Sequence, residues 1–489
     1  LHKAIRRQRQ MCIRDRYMDL FSLLKKSVWF GIIPKLPTFI NILILPFVTP
    51  YLTANDYGVW GIISSYTGIF ISIYTLGLHM HLSNSYYEYG DKYRYVWGRI
   101  LYLLLVLSVF FSCILFFIIW NTFDNLEFSN RFLLALLSVF SLQFNANNLI
   151  GQQLYTLRGT PIPFVSRTLI GGLIGITTTF VSIRYFKMGY LGFVLGSALN
   201  YMFCFFSFIR PLWLKEKLYP RFEVSKTRIA NLLKISLPVV PHALGFMLLS
   251  SSSRIIMDWY EVPIADIGIY SNGYMLGDYI TIVTTALVSA LAPYMQTSFR
   301  SENYVNYRFL FMLCQSIALL SIFIFCLWMP EIYSILIRNE SLQKSMIISQ
   351  ISCFANCIFP LYVFMSSICF IEKTTMQLLW LVFIPGILNI ILLLIFIPLL
   401  GYKVAVITTL VSYWTQMLIP FFVKHYKKQI TLWLGSRYKL IALFFASAFL
   451  LICSVVVSEF FIYKLLLTLI ILIAVSYTHL RAHETGAYL

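Results

Sequence analysis

Apolar stretches of about twenty residues, separated by short polar turns, follow one another along almost the whole chain. They cover 28–49, 59–79, 96–120, 132–157, 162–183, 189–209, 235–257, 268–292, 308–329, 346–370, 377–398, 402–423, 438–458 and 463–475. In a helix, about twenty residues match the ~30 Å hydrocarbon layer of a bilayer. A helix in lipid satisfies its own backbone hydrogen bonds, and the period-two alternation of a β-barrel does not occur in these runs. The pattern predicts an all-α polytopic membrane protein with about fourteen transmembrane helices.

Composition agrees: 59% of residues are hydrophobic and 12% are charged. The formal net charge of +19 suggests nucleic acid until the charges are located. Between the terminal segments, Lys and Arg gather in alternate loops, 22 in one set and 7 in the other. That asymmetry predicts an inner-membrane protein with both termini cytoplasmic, and excludes a nucleic-acid module. The nine Cys are scattered without CxxC or Cys/His spacing, so neither a disulfide framework nor a metal site is expected. Segments 1–17 and 476–489 resemble translated sequencing-adaptor sequence and are expected to be non-native.

Two sets of motifs recur in the same order. Pro34 and Pro37 open the first half as Pro238 and Pro241 open the second. Asp56, Gly58, Val59 and Trp60 are echoed by Asp266, Gly268, Ile269 and Tyr270. Gly189, Tyr190 and Tyr201 return as Gly401, Tyr402 and Tyr413. The expected organisation is a six-helix N-terminal lobe (18–210), a basic cytoplasmic connection (211–234) and a six-helix C-terminal lobe (235–425). Helices 13 and 14 follow (426–475), the last one truncated. An even number of helices per lobe makes the repeat parallel, an arrangement that places a substrate between the lobes.

At three places the chain resembles the polysaccharide flippases of the multidrug/oligosaccharidyl-lipid/polysaccharide exporter superfamily. Residues 51–78 resemble their first loop and second helix, 237–276 the start of their second lobe, and 388–413 their eleventh and twelfth helices. The likeness covers most of 20–425. It departs where relatives often carry an acid before the seventh-helix arginine, since here Ser253 precedes Arg254. The resemblance implies alternating-access export of undecaprenyl-diphosphate-linked oligosaccharide for O-antigen, capsule or exopolysaccharide. A polysaccharide polymerase and a chain-length regulator would be its protein partners.

A diphosphate and a glycan cross hydrocarbon only through a wet, cationic cavity, because an unpaired hydroxyl costs ~4–8 kcal/mol there. Lys35 and Arg254 are the cations that lie well within predicted spans, which makes them candidate cavity residues. Lys35 also lies near enough to the inner end of its helix to snorkel. Asp278 is the carboxylate deep in a span, either a coupling site for H⁺ or Na⁺ or a partner of Arg254. Asn145, Asn148 and Gln152 share one face of the fourth span and offer amides to a glycan, or to neighbouring helices. Arg158 and Arg167 flank the next turn, as topology determinants or as a cytoplasmic mouth for the diphosphate. No cofactor is expected. The alternatives are a cation-coupled drug or metabolite antiporter of the same superfamily and, less favoured, a polymerase or glycosyltransferase. Outer loops of ~10–15 residues without a DxD pair, nucleotide-binding loop or nucleophile arrangement argue against an enzyme.

Overall fold

The computed structural model describes residues 36–222, 232–234, 236–237, 240–372, 374–458 and 460–470, and among them there is no β-strand. Lys35, the first proline pair's Pro34, and both terminal segments lie outside the described residues. The first half contains α1 (Leu36–Val48), α2 (Ala54–Tyr74), α3 (Leu78–Glu88), α4 (Tyr93–Thr122), α5 (Phe128–Gln143), α6 (Ala146–Leu157), α7 (Ile162–Arg184) and α8 (Tyr190–Phe208). The second half contains α9 (Val240–Ser250), α10 (Ser252–Trp259), α11 (Ile264–Asp278), α12 (Thr281–Arg300), α13 (Tyr304–Leu327) and α14 (Met329–Leu336). It continues through α15 (Met346–Ala355), α16 (Phe359–Ile371), α17 (Ile384–Leu400) and α18 (Val404–Trp414). After these come α19 (Lys424–Leu434) and α20 (Tyr438–Val457).

Among the described residues nine helices are long and apolar enough to cross a bilayer, and 36–51, 240–250 and 461–470 form shorter apolar helices. Their outer faces carry large apolar side chains: Phe117 is 63% exposed, Phe445 65% and Leu399 71%. In water such a surface would aggregate; facing acyl chains it is at home.

Several spans that are continuous in the hydrophobic pattern are broken in space. The fourth is interrupted at Phe144–Asn145, the seventh at Ser251 and the eighth at Tyr279–Ile280. The tenth passes through a 3₁₀ turn at Asn356–Ile358, and the twelfth through another at Thr415–Met417. Among the described residues these breaks interrupt five of the expected spans. Broken backbone at membrane depth is stable where it is buried in protein or lines a cavity.

The bundle has a basic end and an opposite end. At the basic end Arg158 grips Glu216 through both guanidinium nitrogens at 2.6 Å, and Arg308 donates to the Trp433 carbonyl at 2.8 Å. At the opposite end Thr53 and Asp56 form a capping box that starts α2. The second oxygen of Asp56 accepts the Tyr190 amide at 2.8 Å, pinning the start of α8 to the start of α2. Gly189 sits there at φ +52°, and a Cβ on it would meet the Asp56 carboxylate at 2.3 Å. Gly401 precedes α18 at φ +77°, and Asp266 stands in the first turn of α11. Thus the sequence motif Asp56…Gly58 and the distant Gly189-Tyr190 pair meet as one structural feature.

The two halves touch most closely at this opposite end, where α2 lies against α11. A Cβ at Gly268 would meet the Ala54 carbonyl oxygen at 1.7 Å, and one at Gly58 the Ile264 carbonyl oxygen at 2.1 Å. Tyr66 fastens the same seam: its hydroxyl donates to Asp258 at 3.3 Å and accepts from Trp259 Nε1 at 3.1 Å. Thr49 Oγ1 donates to the Leu336 carbonyl at 3.1 Å, and Asn339 to the Leu52 carbonyl at 2.7 Å.

Candidate binding cavity

Beneath the seam, α1, α2 and α9–α12 line a cavity of about 360 Å³. Its walls are largely small or hydroxylic: Gly61, Ser64, Ser250, Ser251, Ser271 and Thr281. Helices that approach through such residues leave room, and their hydroxyls give that room a partly polar lining. Two of the breaks lie in this wall, at Ser251 and at Tyr279.

Arg254 and Asp278 both line the cavity, so two residues singled out from the sequence come together. Arg254 projects from α10 and is only 9% exposed. Its Nε donates to Ser271 Oγ at 3.1 Å and its Nη1 to the Ser250 carbonyl at 3.2 Å. The guanidinium carbon lies 4.9 Å from the centre of the Tyr274 ring and 5.7 Å from that of Tyr270. These neutral groups orient the cation. Ser253, at the position of the missing acid, faces Thr409 with 3.3 Å between hydroxyl oxygens. Asp278 closes α11 where the helix breaks, and Asn356 Nδ2 donates to its Oδ1 at 3.5 Å. Asn356 belongs to the broken tenth span and reaches a smaller cavity that Thr281, Tyr413 and Gln416 also line. Interruptions in the seventh, eighth, tenth and twelfth spans therefore gather around two cavities that share Thr281.

The amide stripe of the fourth span is placed elsewhere. Asn145 starts α6 and lies beside the Tyr74 hydroxyl, Asn148 Oδ1 is enclosed, and Gln152 is exposed. Their neighbour Asn147 donates to the Phe205 carbonyl at 3.1 Å and accepts from Trp213 Nε1 at 3.0 Å. None of these residues lines the Arg254 cavity. Arg158 and Arg167 are engaged within the protein at the basic end. Arg158 holds Glu216 and the Tyr93 hydroxyl; Arg167 donates to the Ser207 carbonyl at 3.2 Å and lies over the Phe208 ring. The hydrogen bonds from Arg158 hold the Glu216 carboxyl below its ordinary value. Among the described residues no group of three or more His, Cys, Asp or Glu side chains gathers as metal ligands.

Sequence reasoning did not single out Trp60, Ser271 or Tyr274 as lining residues. Their signal was available as the clustered small and hydroxylic residues of 250–253 and 271–277, which dilute otherwise apolar spans.

Residues 23–299 match the family model of polysaccharide biosynthesis proteins. No curated protein sequence matches the chain. Among solved structures it is similar to an inward-facing multidrug resistance MATE family transporter of the MOP superfamily, at 14% identity and TM-score 0.57, over 82% of this chain and 99% of that one. A Vibrio cholerae MATE transporter gives 11% identity and TM-score 0.55, covering 84% of this chain and 97% of the other. A MOP superfamily transporter from Pyrococcus furiosus, described by the reversed polarity of its binding pocket, gives 15% and 0.53, covering 81% and 94%. At these identities the likeness establishes the fold.

Proposed function

Since this chain belongs to the polysaccharide biosynthesis protein family, we propose that it is a flippase for undecaprenyl-diphosphate-linked oligosaccharide repeat units. It carries them from the inner to the outer leaflet of a bacterial inner membrane by alternating access. The product feeds O-antigen, capsule or exopolysaccharide assembly. The observation that carries this reading is Arg254, a buried guanidinium held by neutral partners in a hydroxyl-lined cavity. An ionised side chain at membrane depth costs ~2.5–3.5 kcal/mol, so an anionic ligand is the natural reason to keep one there. A diphosphate fits that requirement, with its polyprenyl tail left in lipid.

The positive-inside rule turns the basic end to the cytoplasm. The glycine seam then closes the cavity on the far side, which supports a state that loads from the inner leaflet. Rocking the six-helix lobes apart at the seam would open the other side. An inside-negative potential favours outward movement of an anion by ~2.3 kcal/mol per charge per 100 mV. Asp278, beside Asn356, is the proposed site for coupling to H⁺ or Na⁺. An antiporter of cationic drugs, the alternative within the superfamily, would bring its cargo against Arg254, which disfavours it.

The test is reconstitution into proteoliposomes with a labelled lipid-linked oligosaccharide. Wild-type protein is expected to deliver label to the opposite leaflet, and Arg254→Ala to slow it at least tenfold with insertion intact. Equal rates in both proteins would refute the role of the cation.

A further inference from the structure

A second cavity of about 250 Å³ adjoins the Arg254 cavity and shares Thr38, Trp60 and Met275 with it. It lies between α1, α2, α7 and α8, with Met275 of α11 at its border. Its other polar groups are Asn41, Thr179, Ser197 and Asn200, and among the described residues no charged side chain lines it. The floor forms because α7 and α8 approach closely: a Cβ at Gly196 would meet the Gly175 carbonyl oxygen at 2.6 Å. Trp60 and Phe193 stack at its edge, with ring centres 5.6 Å apart and planes 20° apart.

These polar groups are differently placed from those that hold the bundle together. Hydroxyls such as Ser65, Ser72 and Thr168 bond back to carbonyls of their own helices. Those of Thr38, Thr179 and Ser197 hold no hydrogen bond among the described residues. Asn200 receives only a long contact of 3.6 Å from the Cys204 thiol, and Asn41 donates to the Tyr279 hydroxyl at 3.2 Å. Asn147, by contrast, is engaged at both ends of its amide, by the Phe205 carbonyl and the Trp213 indole. An amide both donates and accepts, which matches sugar hydroxyl and acetamido groups. Aromatic faces suit the C–H side of a pyranose. Space for roughly eight waters, at ~30 Å³ each, is enough for one sugar ring.

We propose that this cleft binds the sugar attached directly to the diphosphate, and that it takes a neutral sugar in preference to an acidic one. The inference rests on the flippase reading, because the shared wall at Thr38 and Trp60 joins a headgroup at Arg254 to a ring in the cleft. Glycan recognition then lies in helices α1, α7 and α8, away from the amide stripe of α6.

The test measures binding by the purified full chain of three probes: undecaprenyl diphosphate, its mono-N-acetylglucosaminyl form and its mono-glucuronosyl form. The neutral glycolipid is expected to bind about tenfold tighter than the bare lipid, the gain of one or two hydrogen bonds and a stacking contact. The acidic form should show no such margin. Asn200→Ala, Phe193→Leu and the nearly isosteric Thr179→Val should each erase most of the margin and leave bare-lipid affinity and the unfolding temperature unchanged. If wild type binds all three lipids equally, or if the variants weaken all three alike, the sugar cleft is refuted and the headgroup reading stands. If wild type binds none of them, the flippase reading fails and the cleft fails with it.

Discussion

Replacing Gly268 by Ala tests the seam directly. The added Cβ would sit 1.7 Å from the Ala54 carbonyl oxygen, whereas ordinary contact begins at 3.4 Å. The obstacle is backbone on both sides, so no side chain can swing away, and α2 and α11 must part by about 1.7 Å. Overpacking of this kind costs ~1–3 kcal/mol or more in a well-packed core. Each 1.4 kcal/mol is about tenfold in an equilibrium, so the state closed at this end should lose roughly ten- to hundredfold in population. The state open there does not pay that cost. The assay places a thiol in the cavity with Ser64→Cys, in a Cys113→Ser, Cys453→Ser background, and labels from the non-basic side with a membrane-impermeant reagent. Gly268→Ala should raise the labelling rate at least tenfold and slow flipping, because return to the closed state becomes limiting. Gly68→Ala is the control, since its Cβ would meet the flexible Met247 sulfur at 3.3 Å. Unchanged labelling and flipping in Gly268→Ala would refute the gating role of the seam.

Tyr66→Phe removes the hydroxyl that joins Asp258 and Trp259 across the same seam, and should raise Ser64→Cys labelling more modestly, about two- to tenfold. Asp278→Asn should abolish any dependence of flipping on a pH or Na⁺ gradient; dependence that persists exonerates the carboxylate. The Arg158–Glu216 pair should show a coupling of ~1–3 kcal/mol in a double-mutant cycle read by thermal unfolding in detergent. Folding lowers the Glu216 carboxyl from its ordinary 4.5, so this stabilisation is complete above that pH and is lost as pH falls through the lower folded value. Glu216→Gln should remove that acid-side loss.

The membrane class and the helical content were legible because each follows from a strong rule. Hydrocarbon forbids unpaired backbone and makes charge expensive, so long apolar runs and the rare ions within them carry meaning residue by residue. Arg254 and Asp278 stood out on that ground, though they lie in different spans, and the structure brings them into one cavity. The Asp56 and Gly189-Tyr190 motifs were visible as repeats without a reason; the reason is a carboxylate that caps two helices at once. The matching positions Asp266, Gly401 and Tyr402 in the second half support the proposal of a duplicated unit.

Neutral polar residues were harder to place. An amide on a buried helix looks the same in sequence whether it faces a neighbouring helix or a cavity, since both environments satisfy it. Asn147 and Asn200 differ only in what the opposing helix presents. Against α6 the chain supplies the Phe205 carbonyl and the Trp213 indole, and Asn147 is consumed in packing. Against α8 the facing wall of α7 carries Gly171 and Gly175, whose missing side chains draw the backbones together and leave space beside Asn200. Periodicity cannot distinguish the two cases, because it reads one helix at a time. The distinguishing signal belongs to the pair: amides on one span opposite glycines on the other mark a cleft, and amides opposite indoles and carbonyls mark a joint. By that criterion the first half has its cleft at α7 and α8. The broken spans meeting at Asp278, Asn356 and Gln416 mark the corresponding opening in the second half.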